Sequence, residues 1–308
     1  MDKIILVPLD GSPLAEGALP HAREMVRATG GELALLRVVP STVSLEQMTW
    51  PVGTPILHPQ EAEPEIGQAE QYLDLVAQRL RAEGVPAEVH VRVGDPATEI
   101  VAWAQQASGL RLIVMASHGR GGFGRWVFGS VAEKALRAAP APLLLVPARE
   151  ERATDLPVSY RTILVAHDGS ALAERALEEA ATLGRALHAE LLLVTVTPSL
   201  EEIGRAGMAS LWLVGRYADE DNRILAMLTK KAATLSDSGL PARAELYHGA
   251  PADLILEVSR KKPVDLIVMG THGRSGWQQL WMGSVALKVA QDSTVPLLLM
   301  RGPEAPPA

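Results

Sequence analysis

The residues best suited to chemistry in this sequence are glycines and serines gathered in two long turns. SHGRGGFGRWVFGS (117–130) and THGRSGWQQLWMGS (271–284) each follow an apolar LIVM run and end in Gly-Ser. Gly119 and Gly129 in the first turn have nine residues between them, as do Gly273 and Gly283 in the second, with Gly122 and Gly276 at matching places. Glycine lets backbone N–H groups approach an anion closely. Ser130 and Ser284 open helices, where the first amides have no intrahelical partner and negative charge is favoured. The pattern suits phosphate. Arg120 and Arg274 either reach that phosphate or remain solvated.

Gly119-Arg-Gly121-Gly-Phe-Gly124 is also a literal G-x-G-x-x-G, the string of dinucleotide folds. Two observations count against that reading. The other turn has Ser275 and Gln278 where Gly121 and Gly124 stand. The fingerprint also belongs after a first strand, with an acidic residue ~20 positions on, whereas this string follows the fourth.

A second pair of candidates closes the first strand of each half, in Leu9-Asp10-Gly11-Ser12 and His167-Asp168-Gly169-Ser170. An acidic side chain at the C-terminal end of a central strand faces the crevice where doubly wound folds take ligands. Asp10 and Asp168 can there accept hydrogen bonds from a ribose or an adenine amine, or instead cap the next helix as an Asx turn. His118 and His272 are the titratable groups beside the phosphate-type turns. Hydrolysis needs groups that position water or offset developing charge. With no G-x-x-x-x-G-K-[ST] and no carboxylate pair beside the turns, no catalytic residue and no metal ligand is assigned.

The candidates come in pairs because the chain is written twice. IILVPLDGSPLAEGAL returns as TILVAHDGSALAERAL at an offset of 158 residues (Asp10 to Asp168), and the offset is 154 by the last turns (Gly129 to Gly283). So long a period fits a duplicated domain rather than a solenoid. The runs IILVPL, ELALLRVV, AEVHVRV, LRLIVMA and PLLLVP are β-branched and Leu-rich and, AEVHVRV apart, lack strict alternation, as expected of strands buried on both faces of a parallel sheet. Helical stretches lie between them. SPLAEGALPHAREMVRATG reads as one helix with Ser12 at its N-cap and Pro13 at N1, stopping at Gly30. These features predict two doubly wound, Rossmann-like α/β domains, each with a five-stranded parallel sheet. The limits are placed at 1–147 and 158–303, with a linker at 148–157 and a tail at 304–308. Segments 42–65 and 200–221 differ most between the halves and read as loop insertions, lids or partner surfaces.

Composition narrows the function classes. The 308 residues carry 29 Lys and Arg against 36 Asp and Glu, a net charge of -7, which suits a nucleic-acid backbone poorly. There are no cysteines, excluding disulfides, thiolate metal sites and Cys nucleophiles. No apolar run approaches the ~20 residues of a membrane helix. MDKIILVPLDGS has no secretory h-region or cleavage site, so neither a nucleic-acid nor a membrane partner is expected and the expected setting is cytoplasmic.

These residues, over nearly the whole chain, resemble the tandem form of the universal stress protein family. Its ATP-binding members carry Gly-x-x-Gly, nine residues, then Gly-Ser or Gly-Thr. Gly270-Thr-His-Gly273 with Gly283-Ser284 is similar throughout, and Ala116-Ser-His-Gly119 with Gly129-Ser130 departs at its first position. The resemblance implies an adenine nucleotide alpha-hydrolase-like fold with ATP as ligand, accompanied or not by Mg²⁺. It implies adenine and ribose contacts from Asp10 and Asp168 and from the main chain of Val38 and Val196. The triphosphate would lie over Gly119, Gly122, Gly129 and Ser130, and over Gly273, Gly276, Gly283 and Ser284. Ala116 adds a methyl group, costing on the order of 1–2 kcal/mol if the position needs a positive φ; His167 stands where it could alter adenine packing. The family pairs domains through the last strand, implying an internal pseudo-dimer and further association of chains. The function implied is a regulatory nucleotide-sensing module of a stress response, its protein partner unknown. A slow ATPase or nucleotide-transferring enzyme, or a nucleotide-free dimerisation scaffold, are the alternatives.

Overall fold

The structure is a computed structural model that describes residues 3–40, 63–117, 129–147, 158–199, 211–272 and 282–302. The first repeat runs β1 (Ile4–Pro8), α1 (Pro13–Glu16), α2 (Leu19–Thr29), β2 (Glu32–Val39), α3 (Glu63–Ala82), β3 (Ala87–Val93), α4 (Pro96–Gln106), β4 (Leu110–Ala116), α5 (Ser130–Ala138) and β5 (Leu143–Val146). The second runs β6 (Thr162–Ala166), α6 (Ala171–Leu187), β7 (Glu190–Thr197), α7 (Leu211–Asp237), β8 (Ala242–His248), α8 (Pro251–Lys261), β9 (Leu266–Gly270), α9 (Ser284–Asp292) and β10 (Leu297–Met300). This is a duplicated α/β fold. Among the described residues no helix is long and apolar enough to cross a membrane.

The chain divides into two compact units. One takes its described residues from Met1–Ala141, the other from Pro142–Pro147 and Val158–Ala308. In the first, β3-β2-β1-β4 lie side by side and parallel. In the second the order is β5-β10-β9-β6-β7-β8, parallel except between β5 and β10. Ile5, Leu6 and Val7 of β1 and Ile163, Leu164 and Val165 of β6 are fully buried. Helices cover both faces of such strands, so apolar side chains are selected at every position rather than at every other one.

One helix departs from its sequence reading. The stretch after β1 is interrupted at Gly17-Ala18, between α1 and α2, whereas its counterpart α6 is continuous. Pro20 is the cause. A helix through this point needs residue 20 to donate to the Glu16 carbonyl; proline has no N–H, and its ring crowds that carbonyl. The second repeat has Glu178 at the matching place.

Strand β5 is made by the first repeat but packs in the second unit, so the sequence repeat and the compact units end at different points. Its antiparallel register with β10 pairs Leu143 with Leu299, Leu144 with Leu298 and Leu145 with Leu297. Leu144 and Leu298 are equivalent positions of the two repeats, as are Leu143 with Leu297 and Leu145 with Leu299. The two outer pairs are therefore counterparts of each other and the central pair is its own, the signature of a local two-fold between the strands. Both central leucines are buried. Leu144→Ala is expected to cost about 2–5 kcal/mol. Hydrogen exchange should then show protection lost at Leu297–Met300; loss confined to β1–β4 would contradict the assignment of β5 to the second unit.

Candidate functional site

The site of each unit begins at the C-terminal end of its central strand. After β1 the chain passes through Leu9 into Asp10-Gly11-Ser12, and after β6 through His167 into Asp168-Gly169-Ser170. The Ser12 amide donates to Asp10 Oδ1 at 2.8 Å and the Ser170 amide to Asp168 Oδ1 at 3.0 Å. The serine hydroxyls then cap the helix that follows, accepting from Ala15 N at 3.2 Å and Ala173 N at 3.1 Å. Between acid and serine stand Gly11 at φ +79° and Gly169 at φ +83°, a left-handed conformation that glycine adopts without strain. Each aspartate thus makes the Asx turn considered as one of its two roles. A carboxylate has two oxygens and about four acceptor positions, so the turn does not exhaust it. Both aspartates are half-buried.

The neighbouring strand outruns each of these ends. β1 pairs with β2 only as far as Pro8 with Leu36, leaving Arg37, Val38 and Val39 beyond it. β6 pairs with β7 as far as Ala166 with Val194, leaving Thr195, Val196 and Thr197. Val38 and Val196 are half-exposed while Val39 and Thr197 are buried. Backbone at Val38 and Val196 therefore has no strand against it on the side of Asp10 or Asp168, among the described residues.

On the other flank lie β4 and β9. The Gly129 amide donates to the Ser117 carbonyl at 3.2 Å and the Gly283 amide to the Thr271 carbonyl at 2.8 Å. These bonds close the necks of the two glycine-bearing turns and hold the starts of α5 and α9 against the strand ends. Gly129 and Gly283 are the N-caps, and neither helix has a side-chain cap; Ser130 and Ser284 are the first helical residues. At α4 and α6, by contrast, Asp95 and Ser170 cap. Among the described residues, no side chain caps the first amides of α5 and α9, at the positive helix end. Gly119, Gly122, Gly273 and Gly276, with His118, Arg120 and Arg274, lie outside the described residues.

Two departures between the repeats resolve. Neither Ala116 nor Gly270 has a positive φ, so Ala116 carries no backbone penalty. Gly270 is required for another reason: a Cβ there would meet Leu172 Cγ at 2.7 Å and Cδ2 at 2.9 Å. His167 does not face the crevice. Its side chain is wholly buried, with Nε2 at 3.1 Å from Glu174 Oε1 of α6. Lys231 of α7 reaches the other Glu174 oxygen at 2.8 Å. Burial works to raise the Glu174 carboxyl, but the Lys231 hydrogen bond and His167 outweigh it and hold the group below its ordinary value. Sequence reasoning missed this contact, whose signal was the match of Glu174 to Glu16. In the first unit Glu16 instead accepts from the Tyr72 hydroxyl at 2.9 Å and from Arg79 at 3.3 Å. Burial and that carboxylate push the Tyr72 phenol well up. His272 is half-buried, its Nδ1 3.1 Å from the Thr271 hydroxyl.

The profile of the universal stress protein family matches residues 1–147 and again 159–301. The chain belongs to the universal stress protein family. A universal stress protein of Mycolicibacterium smegmatis is 24% identical over 302 residues, covering 96% of each chain, so the tandem arrangement is shared. Universal stress protein YxiE of Bacillus subtilis is 32% identical over 150 residues, 46% of this chain and 99% of its own. The crystal structure of a universal stress protein from Archaeoglobus fulgidus has a TM-score of 0.71 at 23% identity, covering 98% of this chain and 99% of that one, a likeness of fold.

Gly270→Ala should destabilise the second unit by about 1–3 kcal/mol through overpacking against Leu172. The reciprocal Ala116→Gly should cost about 1 kcal/mol or less. Chemical denaturation of both variants checks the contrast, and equal effects would contradict it.

Proposed function

We propose that each half of this universal stress protein binds ATP in the crevice between its central strand and the glycine-bearing turn. The observation that carries this reading is the pair of Gly-Ser helix starts, without side-chain caps among the described residues, each tied by a backbone bond to a strand end beside the aspartate strand. Uncapped amides and the helix dipole favour a phosphate. The overhanging backbone at Val38 and Val196 supplies a donor and an acceptor for an adenine edge, and Asp10 and Asp168 supply acceptors for a ribose or an amine. Gly119, Gly122, Gly129 and Ser130 would cradle one triphosphate; Gly270, Gly273, Gly276, Gly283 and Ser284 the other. Mg²⁺ would enter with the phosphates and be held by them.

In this reading the chain is a nucleotide-sensing module of a cytoplasmic stress response rather than a metabolic enzyme. ATP biases a conformation or a partner surface, with slow turnover or none. The two-fold register of β5 and β10 supports an internal pseudo-dimer, and pairs of chains associate further.

Nucleotide released by denaturing the purified protein and identified by mass spectrometry should be an adenine mononucleotide, and calorimetry should find one ATP per half. Ser284→Asp puts a carboxylate where the phosphate belongs and removes the hydroxyl. A hydrogen bond to a charged group is worth about 1.5–3 kcal/mol, so the second site should lose tenfold or more in affinity. Thermal stability should hold or rise, because an acidic residue suits a helix N-terminus. Flat calorimetry would favour a scaffold, sustained ADP release an enzyme, and released NAD or FAD would sink the reading.

A further inference from the structure

Under the aspartate turn of the second unit lies a wholly buried titratable group, the imidazole of His167. The Gly169 amide donates to its Nδ1 at 3.2 Å. A backbone N–H only donates, so Nδ1 carries the lone pair and the ring proton sits on Nε2, directed at Glu174 Oε1. Lys231 neutralises Glu174 from α7. The Thr195 hydroxyl of β7 donates to the His167 carbonyl, fixing the backbone of the same residue. The chain Lys231–Glu174–His167 thus ends on Gly169, the residue after Asp168 and the left-handed hinge of its turn. In the first unit the matching position is Leu9, buried and apolar, and Glu16 is held by Tyr72 and Arg79 instead.

We propose that His167 is a positioning residue for Asp168, making the second crevice sensitive to a proton for which Leu9 offers no equivalent in the first. This rests on the nucleotide reading above. A second proton on the ring occupies Nδ1 and sets one N–H against another, so the Gly169 amide loses its acceptor and the Asp168 turn loosens. The charged groups facing the imidazole are Glu174 from α6, Lys231 from α7 and Asp168 in its own turn; β7 contributes the neutral Thr195 hydroxyl. Second-site affinity is therefore full where the ring is neutral and reduced where it is protonated. By linkage, nucleotide binding there expels protons.

ATP's own phosphates also respond to pH, so the quantity to read is a ratio. Full-length Ser130→Asp protein reports the second crevice and full-length Ser284→Asp protein the first, both by calorimetry with Mg-ATP from about pH 8 to about pH 5.5. The ratio of second to first affinity should fall about fivefold, the worth of one hydrogen bond of about 1 kcal/mol. His167→Leu should flatten the ratio. His167→Asn, whose Oδ1 can stand in for Nδ1, should flatten it too while keeping the acceptor. Lys231→Met frees Glu174 to favour the imidazolium and should move the fall to higher pH. Without any nucleotide, the Gly169 amide resonance should track the imidazole titration, and this should vanish in His167→Asn. A flat ratio with normal binding at pH 8, or an amide indifferent to the titration, overturns the inference alone. Failure of both crevices to bind ATP at pH 8 overturns the nucleotide reading and this inference with it.

Discussion

The constraint on which the rest depends is the reversal of direction at the central strand of each unit. β1 sends its chain one way to β2, and the chain returns past it to β4; β6 does the same with β7 and β9. A parallel pair needs a crossover, and right-handed crossovers in opposite directions put their helices on opposite faces. At the carboxyl ends of β1 and β4, or β6 and β9, the connections therefore part and leave a crevice. The aspartate turn, the strand overhang and the helix start meet there because the topology gives them nowhere else to go. The buried strands anchor the arrangement. Ile113, Val114, Ile267 and Val268 are wholly buried, which fixes where β4 and β9 stop and the turns begin.

Much of this was legible in the chain. The runs AEVHVRV and LRLIVMA coincide with β3 and β4 residue for residue, because valines alternating with Glu88, His90 and Arg92 mark a half-exposed strand at the sheet's end and a continuous apolar run marks a buried one. The Gly-Ser helix starts were legible too, since glycine and serine have few reasons to stand together there. Three features were not. Pro20 was visible, but its effect depends on the Glu16 carbonyl being needed within a continuous helix. The orientation of His167 depends on Glu174 and Lys231, 7 and 64 positions further along the chain, meeting in space. The partner of β5 came from the family resemblance and not from the residues themselves, because LLLV is equally content in a parallel or an antiparallel ladder.

The duplication also shows how one framework tolerates different solutions. Glu16 and Glu174 occupy equivalent helix positions, yet a phenol and a guanidinium satisfy one while an imidazole and an ammonium satisfy the other. Each glutamate is partly screened from water, where an unpartnered charge is expensive, so neither half can leave it unpaired. The carboxylate is fixed and its partners are free to change. Ala116 and Gly270 show the converse. The methyl group absent from Gly270 is excluded by Leu172 and not by the backbone, so the limit is set by a neighbour that itself can vary.

The mirrored register of β5 and β10 has a consequence for how the tandem chain arose. A strand that pairs antiparallel about its own equivalent residue matches an identical strand as well as a cousin, so the same ladder serves two separate copies of one repeat. Such copies must find each other by diffusion and part on dilution. Joining them end to end turns the encounter into an intramolecular one, at an effective concentration that the length and stiffness of the connection set. Fusion thereby removes dependence on how much protein the cell makes. It also ends the requirement that the two halves be alike, and a chain no longer bound to symmetry can put leucine under one aspartate and histidine under the other.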